Sequence, residues 1–358
     1  EPMKHTLRLL ILTICITLGT ADIHAQDGRE NIREILSEFN AGALSADEAY
    51  LHMKDVYENG QLHKCSTPLH IFAHKYKDDI SERLLDSEQT RKEKSTAATY
   101  TSASGKFVFT YETTGDNAVP SADADENGVP DYVEWAAISA DSTYNHLITR
   151  LGYTDPIPEG STYDMSFEEL NFYGYTQTIS SNGGPGTNIV IENDFVGFPD
   201  NDDPDGNQRG ALRVTVAHEF KHAIQFTQNN FEGDSDQWVE MDATLVEEVV
   251  YDEVNDYYNY LGGTGDIFGN PGVTVVAGSY EDITWALYFH EKIGADFWPG
   301  AWSRIENSVS DLPLLDAVEL ELTSRGLDYT ESLLELYAWH FATGSYTNVN
   351  FGFNESFF

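Results

Sequence analysis

Strand-forming segments gathered in the first half of the chain and helix-forming segments in the second predict an α+β fold, a mixed-sheet subdomain followed by a mostly helical one. Three observations carry that expectation. Residues 107–111 (FVFTY) and 188–195 (NIVIENDF) are short runs rich in β-branched and aromatic side chains. Residues 211–228 place Leu212, Val216, Ala217, Phe220, Ala223 and Ile224 at helical spacing, and most of the chain beyond residue 237 has the same period. No internal repeat argues for a solenoid.

In chain order, residues 3–25 read as a signal peptide: Met3, Lys4 and Arg8 form a basic start, Leu9 to Leu18 an apolar run, and Ala25 a small residue before a cleavage point. The apolar run is too short for a comfortable membrane span, so the expected location is extracellular. Residues 28–58 show helical spacing (Ile32, Ile35, Leu36, Phe39, then Ala49, Met53, Val56) broken at Gly42. Arg91-Lys92-Glu93-Lys94-Ser95 is a polar, basic linker, so residues 26–97 are expected to be a pro-segment of a zymogen. Residues 98–230 then form the sheet-bearing catalytic subdomain and 231–358 the helical one. Within them, strands are expected at 107–111, 163–170 and 188–195. Helices are expected at 130–150, 211–228, 238–260, 280–293, 311–325 and 330–343.

Charge narrows the function. Sixty acidic against 20 basic residues give a net charge of −40, which repels nucleic acid and anionic membranes. Of two cysteines, Cys15 leaves with the signal, so Cys65 has no partner for an internal disulfide.

The sharpest motif is His218-Glu219-Phe220-Lys221-His222, an H-E-x-x-H on an expected helix. Side chains at i and i+4 leave the same face one turn apart, so both imidazoles can hold one zinc ion. Glu219 is then placed as general base. A third ligand is expected from the next helix, with Glu240 preferred and Glu247 orienting a histidine from behind. Asp242 and Glu248 are expected on a solvated helix face.

Asp123, Asp125, Asn127, Val129, Asp131 and Glu134 stand at the ligand positions of a twelve-residue calcium loop, with Gly128 at its turn. Asp200, Asp202, Asp203 and Asp205 are a second, weaker candidate for a cation.

The HExxH helix and the Trp238-Val239-Glu240 stretch after it resemble the gluzincin metallopeptidases. Residues 64–68, 131–134, 188–195, 211–226 and 240–260 more closely resemble a family of secreted bacterial metalloproteases. That resemblance covers most of residues 60–345 and implies a zincin-like fold and zinc chemistry. Thr244 departs from the gluzincin pattern, which has an aspartate at that position. Peptidases of this kind need a donor for the oxyanion; Tyr280 is the expected one, with His290 as the other candidate. Cys65, before Thr67-Pro68 in the pro-segment, is a candidate latency ligand that would occupy the zinc until proteolysis removes it.

The resulting expectation is a monomeric secreted zinc endopeptidase acting on protein or peptide substrates, with a strand near Ile189–Glu192 as the sheet edge that pairs with substrate. Two other readings stay open: zinc hydrolysis of a non-peptide amide or ester, and a calcium-stabilised surface or adhesion protein on an inactive scaffold.

Overall fold

A computed structural model describes residues 28–355 apart from 60–62, 90–96, 181–182, 233–237, 264–265, 271, 273–278 and 349. The signal peptide and the 91–95 linker lie outside the described residues. The chain is α+β: a six-stranded mixed sheet with helices packed on it and after it. Among the described residues no helix is long and apolar enough to cross a membrane.

Helices α1 (Gly28–Asn40) and α2 (Ala46–Asn59) flank the Gly42 break, where φ is 73°. They are followed by the short strand β1 (His63–Cys65), α3 (Thr67–Lys75) and α4 (Glu82–Gln89). Ile32, Ala49, Tyr50, Met53, Leu69 and Phe72 form a small core of their own, which reaches the sheet through Phe172.

The main body starts with β2 (Ala98–Thr101) and β3 (Phe107–Tyr111). Helix α5 (Asp131–Tyr144) continues into a π-helical turn over Asn145–Arg150 and stops before Gly152. Strands β4 (Tyr163–Glu168), β5 (Phe172–Thr178) and β6 (Thr187–Glu192) complete the sheet. Its order is β1-β5-β6-β4-β3-β2, with β5 antiparallel to β6 and β1 parallel to β5.

That order corrects one expectation. The Ile189–Glu192 segment is not at the edge; β6 pairs with β4 on one side and β5 on the other. A run as apolar as Ile189-Val190-Ile191 belongs in a central strand, where it has no solvent face. Strand β5, which lies against the HExxH helix together with β6, is missed by the sequence pattern because Gly174 interrupts it. Glycine is required there: a Cβ would lie 2.8 Å from the Val190 carbonyl oxygen and 2.9 Å from Thr215 Cγ2. The sheet and the zinc-motif helix touch at this point.

Helix α6 (Asn207–Asn229) packs on β5 and β6 and ends where Asn230 turns left-handed at φ 55°. It is buried around nearly its whole circumference. Helix α7 (Trp238–Val250) returns alongside it. The helix expected over 238–260 stops at 250; Asn255 (φ 53°) redirects the chain into a 3-10 turn over Asp256–Tyr260. A second 3-10 turn, Tyr280–Asp282, closed by a Ser279/Asp282 capping box, leads into α8 (Ile283–Ile293). Helix α9 (Phe297–Glu306) lies outside the expected set, since Pro299 and Gly300 disguise it. Proline is tolerated in a first turn, and at Gly300 a Cβ would lie 2.6 Å from the Glu321 carboxylate. Helices α10 (Leu314–Ser324) and α11 (Tyr329–Phe341) close the body.

Candidate metal centre

Helices α6 and α7 bring His218, His222 and Glu240 to one point. His218 Nε2 lies 3.2 Å from Glu240 Oε2, and His222 Nε2 lies 3.2 Å from Glu240 Oε1. Cys65 joins them from the end of β1, its Sγ 3.6 Å from His222 Nε2. One ligand atom from each of these four buried residues lies within 4.8 Å of every other. A tetrahedral zinc with bonds of about 2.0–2.3 Å would set its ligand atoms about 3.3–3.6 Å apart. The His222–Cys65 separation falls in that range, and each imidazole Nε2 lies just short of it from a different Glu240 oxygen. Two nitrogens, a thiol sulfur and a carboxylate form a donor set that could hold a transition-metal ion and suits a hard cation poorly.

The far sides of both imidazoles are fixed. His218 Nδ1 faces Glu247 Oε1 at 2.7 Å, and His222 Nδ1 faces Gln225 Oε1 at 2.7 Å. Gln225 donates its amide to the Val239 carbonyl and to Asp242 Oδ2, both at 3.0 Å, which turns its oxygen toward the imidazole. Both rings thus turn Nδ1 to an outer oxygen and Nε2 toward the centre of the cluster, the orientation a metal-ligating histidine needs. Burial opposes charge on His218, yet Glu240 and Glu247 outweigh it and raise its pKa to about 10. Burial would likewise raise Glu240, but His222 and His218 hold it down at about 2. With carboxylates bracketing two imidazoles, the site favours a cation at its centre.

Glu219 lies beside this cluster with both oxygens buried. Its Oε2 accepts from the Thr67 hydroxyl at 3.0 Å, and the Thr176 hydroxyl lies 2.9 Å away. Its Oε1 has no hydrogen-bond partner among the described residues. A buried carboxylate oxygen without a donor is costly unless something else comes to it.

Tyr280 is also brought to the centre. Its hydroxyl donates to the Cys65 carbonyl oxygen at 3.2 Å and accepts from the Cys65 backbone N–H at 3.3 Å, and its ring lies 6.2 Å from that of His218. His290 is not: it lies on α8, and its charged neighbour is His146.

Several contributors escape the sequence reading. Thr67 and Thr176 grip Glu219, and Gln225 orients His222. Asp242, expected in solvent, is fully buried and pairs with Lys221 Nζ at 3.0 Å. Glu248 is buried as well. The signal is present in the apolar residues around α7, because an acid on a helix buried on every face must have a partner. Thr244 donates to the Glu240 carbonyl of its own helix and supports no histidine.

The acidic loop at 123–134 folds around its own backbone. Gly128 and Asn127 donate N–H groups to Asp123, and the Asn127 amide bridges Asp125 and Glu134 at 3.0 and 2.8 Å. Asp131 instead accepts from the Ala124 N–H. Among the described residues, its carboxylates do not form a group of three within 4.8 Å of one another. Glu248, Asp252 and Glu355 do form one, and burial, with the Glu355 and Asp252 carboxylates beside it, pushes Glu248 up to about 10. Asp203 and Asp205 are taken by Arg213 at 2.6 and 2.8 Å, and Asp200 by Asn207, which removes the expected second cation site.

No protein-family model matches the chain, and no curated protein matches it.

Proposed function

We propose that this chain is a zinc-dependent endopeptidase of zincin-like fold, secreted as a latent precursor, with Glu219 as general base. The observation that carries this reading is the convergence of His218 Nε2, His222 Nε2 and Glu240 at zinc-ligand spacing beside the unpartnered Glu219 Oε1. Bound there, zinc would polarise a peptide carbonyl and lower the pKa of a coordinated water. Glu219 Oε1 is the proton acceptor, while Thr176 holds the other oxygen in place. Tyr280, whose hydroxyl already donates to a carbonyl beside the metal ligands, would do the same for the carbonyl under attack. An extended substrate would add to β5, the strand that lies against Glu219.

In the precursor that strand edge is taken. β1 pairs with β5, with Cys65 opposite Gly174, and puts its thiol in the fourth ligand position. Thr67 adds a hydrogen bond to Glu219, so one short segment covers both the metal ligands and the base. The processed protein should contain one zinc per chain. It should cleave casein or gelatin, lose that activity to a chelator and regain it with zinc. Processed protein with no stoichiometric zinc, or with no peptide cleavage, would overturn the proposal. The cobalt-substituted full-length precursor should show a thiolate-to-metal charge-transfer band that Cys65→Ala abolishes; a wild-type precursor without that band would remove Cys65 as the blocking ligand.

A further inference from the structure

Lys64, next to the blocking cysteine, is 1% exposed and sits in a compartment built for a cation. Its Nζ lies 2.7 Å from Glu247 Oε2 and forms a very short ion pair with Asp256. The rings of Tyr173 and Tyr260 flank it, their centroids 4.8 and 5.0 Å from the ammonium. The Tyr173 hydroxyl donates to the other Asp256 oxygen at 3.1 Å. Burial opposes the charge on Lys64, yet Asp256 and Glu247 hold its pKa well above the ordinary lysine range.

The walls of this compartment come from elsewhere in the chain. Tyr173 comes from β5, Glu247 from α7, and Asp256 and Tyr260 from the 3-10 turn after it. None belongs to residues 28–89, the segment that carries Lys64. When that segment leaves, the walls stay behind as two buried carboxylates between two aromatic faces. Their charges then lack the ammonium that compensates them, and an uncompensated buried charge is unfavourable until another cation takes its place. The compartment adjoins the metal ligands, because Glu247 Oε1 holds His218 while its Oε2 holds Lys64. A peptide added to β5 in place of β1 would pass its side chain into this space.

We propose that the Lys64 compartment is the principal specificity subsite of the mature enzyme and selects a lysine side chain, with arginine second, beside the scissile bond. This rests on the peptidase reading above. The precursor fills its own subsite with Lys64, so the blocking strand imitates a preferred substrate. Lysine fits because its ammonium is a compact charge on an apolar stem, matching two carboxylates at the end of an aromatic-walled slot.

Cleavage profiling of the processed full-length product on a proteome-derived peptide library reads the subsite directly. Lysine or arginine should be enriched at one position flanking the cut. Asp256→Asn should lower the kcat/KM ratio of a lysine peptide over its norleucine counterpart by at least about 30-fold, the effect of losing one partner of a buried charge pair. Cleavage with no basic preference, or an unchanged ratio in the variant, would overturn the subsite while leaving the peptidase intact. The absence of any cleavage would instead strike the underlying reading. A binding test on the intact chain needs no activity and guards against a misfolded Asp256 variant. Full-length Lys64→Ala should melt below the wild type, and n-propylammonium should restore part of the loss where n-propanol does not. Equal effects of the two additives would show that the compartment does not select a cation.

Discussion

Glu219→Gln should leave the zinc content of the protein unchanged and lower kcat for peptide hydrolysis by about 10²–10⁴-fold, the range that a positioned general base contributes. The side chain keeps its length, so the contacts of Thr67 in the precursor and of Thr176 throughout can persist on the amide oxygen. What disappears is the basic lone pair at Oε1, the oxygen with no other partner among the described residues. Because Glu219 is not among the residues that converge as ligands, metal analysis should return the wild-type stoichiometry. The pairing of the two measurements matters. Loss of zinc together with activity would recast Glu219 as a ligand or a structural support, and retained casein cleavage with zinc in place would mean that another group takes the proton.

The readable part of this site is the part set by local geometry. His218, Glu219 and His222 are legible because a four-residue spacing on a helix fixes their common face before any tertiary contact forms. Glu240 and Glu247 come at one remove, since positions two turns apart on a returning helix face nearly the same side. The parts that are not legible depend on the approach of segments distant in sequence. Lys64 meets Glu247 and Asp256, and Thr67 meets Glu219, across 192 residues for Lys64–Asp256 and 152 for Thr67–Glu219. No periodicity encodes such meetings. The sheet order illustrates the same limit: the apolar character of Ile189-Val190-Ile191 signals burial, yet only the full pairing pattern decides that β6 is interior and that β5 lies between it and β1. Gly174 is the useful clue in the sequence, as a glycine in a β-type run often marks the close approach of another element.

Lys221→Met is expected to destabilise the protein by about 3–5 kcal/mol, as removing one partner of a buried ion pair does. Lys221 occupies one of the two variable positions of the HExxH motif, yet it pairs with Asp242 and is not in the Cys65, His218, His222 and Glu240 group. Its ammonium lies 3.0 Å from Asp242, with the rings of Tyr153 and Trp302 at 4.0 and 4.6 Å. Both members of the pair are completely buried. Burial lowers the Lys221 pKa, and the Asp242 carboxylate opposes that shift. Methionine fills the volume but leaves the Gln225 amide as the one hydrogen-bond donor to the Asp242 side chain among the described residues. Gln225 in turn orients His222, so the damage should extend from stability to metal affinity, where loss of an outer partner typically costs about 10–100-fold. Urea unfolding of the metal-loaded protein measures the first effect, and competition with a chromogenic chelator the second. Adding Asp242→Asn to Lys221→Met removes the stranded charge and should recover part of the lost stability, with a coupling energy of about 0.5–3 kcal/mol. If the single substitution costs less than about 1 kcal/mol, against the range expected for a buried pair, Asp242 must reach water or a proton by some other route, and the chain from Lys221 through Gln225 to the metal would lose its anchor.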